Sequence, residues 1–133
     1  MPDVKVRVPH DLFDRVTEEH REEIRSVFIE MVAAAVAHHL SCLDYNNEDM
    51  ALEPSHIDVH LITYDQRDVW MHGAPVLIEI TGYDYPTRME DIRERLAAIR
   101  HAVASFMVNR AFYRREGKQA SVSYVPIPDG CWV

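Results

Sequence analysis

The sequence predicts an α+β domain made of two βαβ halves that follow one another and join their sheets. Three observations predict it. Two long segments carry apolar residues at three-and-four spacing, the mark of helices with one buried face. Short segments between them alternate in polarity or run apolar, as strands do. The order along the chain is strand, helix, strand, and then the same again. Each half is too small to bury its own helix, so the two should share one core. The ferredoxin-like fold has the same element order, so order alone does not choose a fold.

The elements follow in turn. Asp3 to Val8 reads DVKVRV, with Val4, Val6 and Val8 on one face and Lys5 and Arg7 on the other, and Pro9 ends it. The first helix carries Ile24, Val27, Phe28, Met31, Val32, Ala35, Val36, His39, Leu40 and Leu43. Thr17 suits its N-cap, and Glu18, Glu19, Glu22 and Glu23 suit the positive end of its dipole. Asp44 to Pro54 is a polar loop. His56 to Tyr64 alternates, with Ile57, Val59 and Leu61 opposite His56, Asp58 and His60. Gln66 to Ala74 is a loop. Val76 to Tyr83 is apolar apart from Glu79 and reads as a central strand. Gly82 to Pro86 reads as a turn. The second helix carries Met89, Ile92, Leu96, Ile99, Val103, Phe106 and Arg110, with Thr87 and Glu90 placed as a capping box. Gly117 closes that segment. Ala120 to Val125 is the last strand, ended by Pro126 and Pro128.

Bulk composition narrows the function classes. The 133 residues fit one domain, 1–133. Apolar residues make up 47% and charged residues 27%, an ordinary globular balance. A formal charge of −8 repels phosphate backbones, so nucleic acid is not expected as a partner. No window is apolar enough to span a bilayer, and the first residues do not resemble a signal peptide. Cys42 and Cys131 therefore read as reduced thiols of a cytoplasmic protein. No cofactor is expected.

Four stretches together resemble the tautomerase superfamily, which includes 4-oxalocrotonate tautomerase, macrophage migration inhibitory factor, malonate semialdehyde decarboxylase and the chloroacrylic acid dehalogenases. They are the opening MPDVKVRV, then PSHIDVHLITYD, VLIEITGYDYPTRMEDIRERL and the tail SYVPIPDGCWV. The resemblance implies a βαββαβ protomer with its helices on one face of the sheet. It also implies a homotrimer with an active site near each amino-terminal proline, and a small carboxylate as substrate.

Position 2 carries the chemistry in this reading. Once Met1 is removed, Pro2 has a secondary amine at the mouth of a strand, fixed in φ by its ring. A free α-amine has a pKa of roughly 7.7 to 8.0, and an apolar pocket favours its neutral form. A neutral amine at that pH is a suitable general base. With Met1 retained, the nitrogen is a tertiary amide and has no basicity. The leading reading is keto–enol tautomerisation or isomerisation of a small oxo acid with Pro2 as base and Arg67 as carboxylate binder. The alternatives are decarboxylation, hydration or dehalogenation with a protonated Pro2, and a trimeric binding protein without catalysis.

Other candidates are weighed beside it. Arg67 lies near where the decarboxylase and dehalogenase members carry substrate-binding arginines, and also suits a solvated loop. Arg88 matches the arginine of the turn before the second helix, and a surface position at a helix start is the favoured reading. Asp58 stands where 4-oxalocrotonate tautomerase has a strand arginine, and Leu52 and Glu53 where the migration-factor branch has a basic residue. Ser121 and Ser123 replace that branch's Tyr and Asn. Strand alternation puts His56, Asp58 and His60 on one face, with roughly 6 to 7 Å between alternate positions. That makes His56 and His60 weak metal candidates and a wet channel lining the better reading. His39 is expected to pack on the apolar stripe. Cys131 reads as structural, and Trp132 is expected to pack on a neighbouring subunit, in a position to cover the pocket.

Overall fold

The computed structural model describes residues 2–9, 18–64, 76–109 and 120–128. The first half consists of β1 (Asp3–Pro9), α1 (Glu18–Leu40), a small hairpin of β2 (Cys42–Leu43) and β3 (Asp49–Met50), a 3-10 turn (Pro54–His56) and β4 (Asp58–Tyr64). The second half consists of β5 (Val76–Tyr83), the single-turn helix α2 (Pro86–Met89), α3 (Ile92–Asn109) and β6 (Ala120–Ile127). Thr17, Arg67, Gly73, Gly117, Cys131 and Trp132 lie outside the described residues.

The main sheet has four strands in the order β4-β1-β5-β6. β1 runs parallel to β4, and β5 runs parallel to β6, as two βαβ halves require. The halves join through the antiparallel pair β1–β5, in which Asp3 faces Thr81. The start of β1 therefore lies beside the end of β5. This is the fold class the sequence predicts.

The core forms where the two periodicities meet. Val4, Val6 and Val8 of β1 are fully buried, as are Val76 and Ile80 of β5. Phe28, Val32, Val36 and Leu40 from α1, and Ile99, Val103 and Met107 from α3, cover them. Phe28 and Phe106 meet across the helices at 6.0 Å between ring centroids. Each fully buried aliphatic side chain contributes about 1.5–3 kcal/mol, so this cluster is the main source of stability.

Several local expectations change. α1 ends at Leu40, so Leu43 sits in β2 and not on the helical stripe. His56 lies in the 3-10 turn ahead of β4, so His56, Asp58 and His60 do not share a strand face. Gly82 lies within β5 instead of in a turn. β6 runs through Pro126 to Ile127, because it is an edge strand, where a residue without an N–H is tolerated. Thr87 does not cap a helix. Its hydroxyl accepts from the Leu43 N–H at 2.9 Å and donates to the Leu43 carbonyl at 3.0 Å, which fastens α2 to the hairpin.

The C-terminal end of α1 has unpaired carbonyls and a negative dipole. Two arginines of the second half answer it. Arg95 Nη1 donates to the carbonyls of His39 and Ser41 at 2.8 and 2.7 Å, and its Nε pairs with Asp91. Arg88 Nε donates to the Leu40 carbonyl at 3.0 Å. Arg95→Ala is expected to cost about 1.5–3 kcal/mol, the worth of a hydrogen bond from a charged group. A urea unfolding midpoint reads that change, and a loss below a few tenths would show that the carbonyls find water instead. His39 packs partly here, edge-on to His38. Its pKa is lowered by burial first, then by His38 and Arg95.

Candidate active site

A cavity of about 210 Å³ opens where the two halves meet. Pro2, Met50, Ala51, Leu52, His56, Tyr83, Tyr85 and Arg88 line it. Each wall has a local cause. Pro2 sits at the entry to β1 and is buried. Tyr83 closes β5, and the antiparallel β1–β5 register brings that end beside Pro2. Tyr85 and Arg88 come from the turn into α2. Leu52 is held by its N–H, which donates to Ser41 Oγ at 2.9 Å, and Ser41 in turn donates to the Ala37 carbonyl.

Arg88 governs the electrostatics. It is 1% exposed, so the surface reading of this residue is corrected. Its side chain runs from α2 to the end of α1 and to Gly82 of β5, away from the water that a helix-start arginine ordinarily reaches. Nε serves Leu40 and Nη1 donates to the Tyr124 hydroxyl at 3.1 Å. The Tyr85 ring lies under the guanidinium at 5.0 Å. Nη2 is buried and has no partner among the described residues. Among the described residues no carboxylate pairs with Arg88. A buried cation without a counter-ion is costly, and an anion in the cavity would relieve that cost.

The remaining walls are mainly apolar and aromatic. Tyr45, Tyr83 and Tyr85 cluster, with centroids 4.7 Å apart for Tyr45 and Tyr85 and 5.5 Å for Tyr83 and Tyr85. The Tyr45 hydroxyl donates to Asp84. His56 Nδ1 accepts from the Glu53 N–H at 3.1 Å. In the neutral ring the proton then sits on Nε2, which makes His56 a hydrogen-bond donor on the cavity wall. Burial raises the pKa of Tyr124, with Arg88 opposing it, so the phenol keeps its proton at neutral pH.

The structure thus brings Pro2, Arg88 and His56 to one cavity, whereas Arg67 is outside the described residues. Asp58 is exposed on β4, away from the cavity lining. His60 pairs with Asp3 at 3.1 Å on the sheet face opposite the core. Among the described residues no group of three or more His, Cys, Asp or Glu is arranged to hold a metal. Cys42 is a buried free thiol. Among the described residues no helix is long and apolar enough to cross a membrane, which says nothing of strands.

Solved structures share this fold. Native fused 4-OT superposes with a TM-score of 0.63 at 14% identity, covering 98% of this chain and 91% of that one. The chain has the tautomerase fold. A Q0 fused 4-OT, solved as a symmetric trimer, gives 0.60 at 16% identity, over 95% of this chain and 85% of the other. FG41 malonate semialdehyde decarboxylase inhibited by 3-bromopropiolate gives 0.60 at 14%, over 98% and 86%. No family model and no curated protein matches the sequence. Within the tautomerase fold the cavity lies at the junction of the two βαβ halves, with Pro2 at its edge.

Sequence reasoning missed Tyr83, Tyr85 and Tyr124, and it gave His56 a strand role. One signal was present. In SVSYVPI the alternation puts Tyr124 in step with Ala120 and Val122 on the core face, and a tyrosine there needs a partner for its hydroxyl.

Proposed function

We propose that this single domain is a tautomerase or isomerase of a small oxo acid, with the amine of Pro2 as general base after Met1 removal and Arg88 as carboxylate binder. The observation that carries the proposal is the buried, partly unpartnered guanidinium of Arg88 sharing a cavity with buried Pro2. Apolar walls and a neighbouring cation both disfavour an ammonium, which supports the neutral, basic form of Pro2 over the protonated alternative. The substrate carboxylate pairs with Nη2. Pro2 takes the proton from the carbon beside the carbonyl, giving an enolate and a prolinium, and returns it to the oxygen or to another carbon. His56 Nε2–H can donate to the oxygen that gains charge.

The proposal includes a cytoplasmic homotrimer, for which the trimeric assembly of the Q0 fused 4-OT is the support. Arg67 remains a proposed second carboxylate contact. The test is proton exchange. Purified protein is mixed in deuterium oxide with a panel of 2-oxo monoacids and diacids, and loss of the proton signals beside the carbonyl is followed by NMR. Exchange above the buffer rate on at least one acid is expected. No exchange on any of them would remove the general-base reading.

A further inference from the structure

The guanidinium of Arg88 is held by a contact that only a glycine permits. A Cβ built at Gly82 would lie 2.5 Å from the Tyr124 hydroxyl oxygen, 3.2 Å from Cζ of the same ring and 3.3 Å from Arg88 Nη1. Tyr124 faces Ile80 in the β5–β6 register, and its ring reaches along β5 over Gly82. Its hydroxyl donates to the Tyr83 carbonyl at 2.6 Å and accepts from Arg88 Nη1 at 3.1 Å. The one phenolic proton is committed to Tyr83, so only oxygen lone pairs face Arg88. That is the orientation a cationic donor requires.

We propose that Gly82 and Tyr124 are positioning residues for Arg88: the Tyr124 hydroxyl fixes Nη1 so that Nη2 stays open to a substrate carboxylate, and the missing side chain at Gly82 lets Tyr124 and Arg88 meet. The inference rests on Arg88 as the carboxylate binder. With phenylalanine at 124, Nη1 and the Tyr83 carbonyl both lose a partner in a buried place. The guanidinium can then turn to place another nitrogen. With alanine at 82, the new methyl group occupies the space of the hydroxyl, so the same contact breaks although every polar group is retained. β5 can carry alanine without backbone strain, so the effect comes from the contact itself.

The test uses the full chain and benzoate, a monocarboxylate that cannot turn over. Nitrogen-edited NMR reads the Arg88 side chain, assigned by its loss in Arg88→Met. In the wild type, separate Nη proton signals are expected, because Nε and Nη1 are both held and the guanidinium cannot turn, and benzoate should shift them. In Tyr124→Phe they should average together, and benzoate binding should weaken about tenfold or more, as for loss of a hydrogen bond to a charged group. Gly82→Ala should do the same, and it keeps the test open should Tyr124→Phe not fold. Ser123→Ala, on the opposite sheet face, should change neither reading. The double variant should bind little worse than either single one, because both act through one contact. Unchanged Arg88 signals in Tyr124→Phe, unchanged benzoate affinity, or additive losses would each overturn the inference. Failure of the wild type to bind benzoate would instead count against Arg88 as carboxylate binder, and the Arg88 signals alone would then decide the positioning claim.

Discussion

Pro2→Ala is expected to lower kcat for proton exchange by about 10²- to 10⁴-fold, the usual worth of a positioned acid–base group. The replacement still presents an amine after Met1 removal. That amine is primary, free to rotate about φ, and no longer fixed against the wall of the cavity. The fold should survive, because the core of β1 rests on Val4, Val6 and Val8, all fully buried. A thermal midpoint close to the wild type, with the exchange rate reduced, is the expected pair of results. The wild-type rate should rise with pH and then level off, because only the neutral amine accepts a proton. A variant that exchanges protons as fast as the wild type would show that Pro2 is not the base.

Arg88→Met separates binding from stability. Removing the guanidinium takes away the charge that the cavity offers to a carboxylate, and kcat/KM should fall by about 10²- to 10³-fold, as when one partner of a buried charge pair is truncated. Stability should change little. The variant loses the hydrogen bonds to Leu40 and Tyr124, and it also removes a buried cation that has no counter-ion. Replacing buried charge with apolar volume is often neutral or stabilising. Arg88→Lys is not expected to rescue activity. A lysine has one charged centre and cannot serve Leu40, Tyr124 and a ligand from one planar fork. Steady-state kinetics on the best acid of the exchange panel, alongside thermal melts, reads both halves of this prediction. A large fall in melting temperature with retained kcat/KM would mean that Arg88 is structural only.

The features legible in the sequence are those that repeat locally. DVKVRV displays its buried valines two residues apart, and the helical stripes from Ile24 to Leu40 and from Ile92 to Phe106 display theirs at three and four. From those periods the four main strands and both long helices follow. The two-residue strands Cys42–Leu43 and Asp49–Met50 are too short to have a period, so the first read as the end of the helical stripe and the second as loop. The site was harder to read because contacts between distant residues build it. Arg88 meets Leu40 across 48 positions and Tyr124 across 36, and Thr87 reaches Leu43 across 44. Nothing near Arg88 in sequence distinguishes it from a surface residue at a helix start; its side chain is buried among Leu40, Tyr85 and Tyr124. Gly82 gives the same lesson. Its neighbours mark a turn, but the reason for a glycine there is the ring of Tyr124 pressed against its backbone.

The proposed chemistry depends on Pro2 having a free nitrogen, and the intact mass of the purified, untagged protein tests that most directly. The expected mass is short of the full sequence by one methionine, with proline as the first residue. A mass that still includes Met1 would contradict it, because a tertiary amide at position 2 cannot take up a proton.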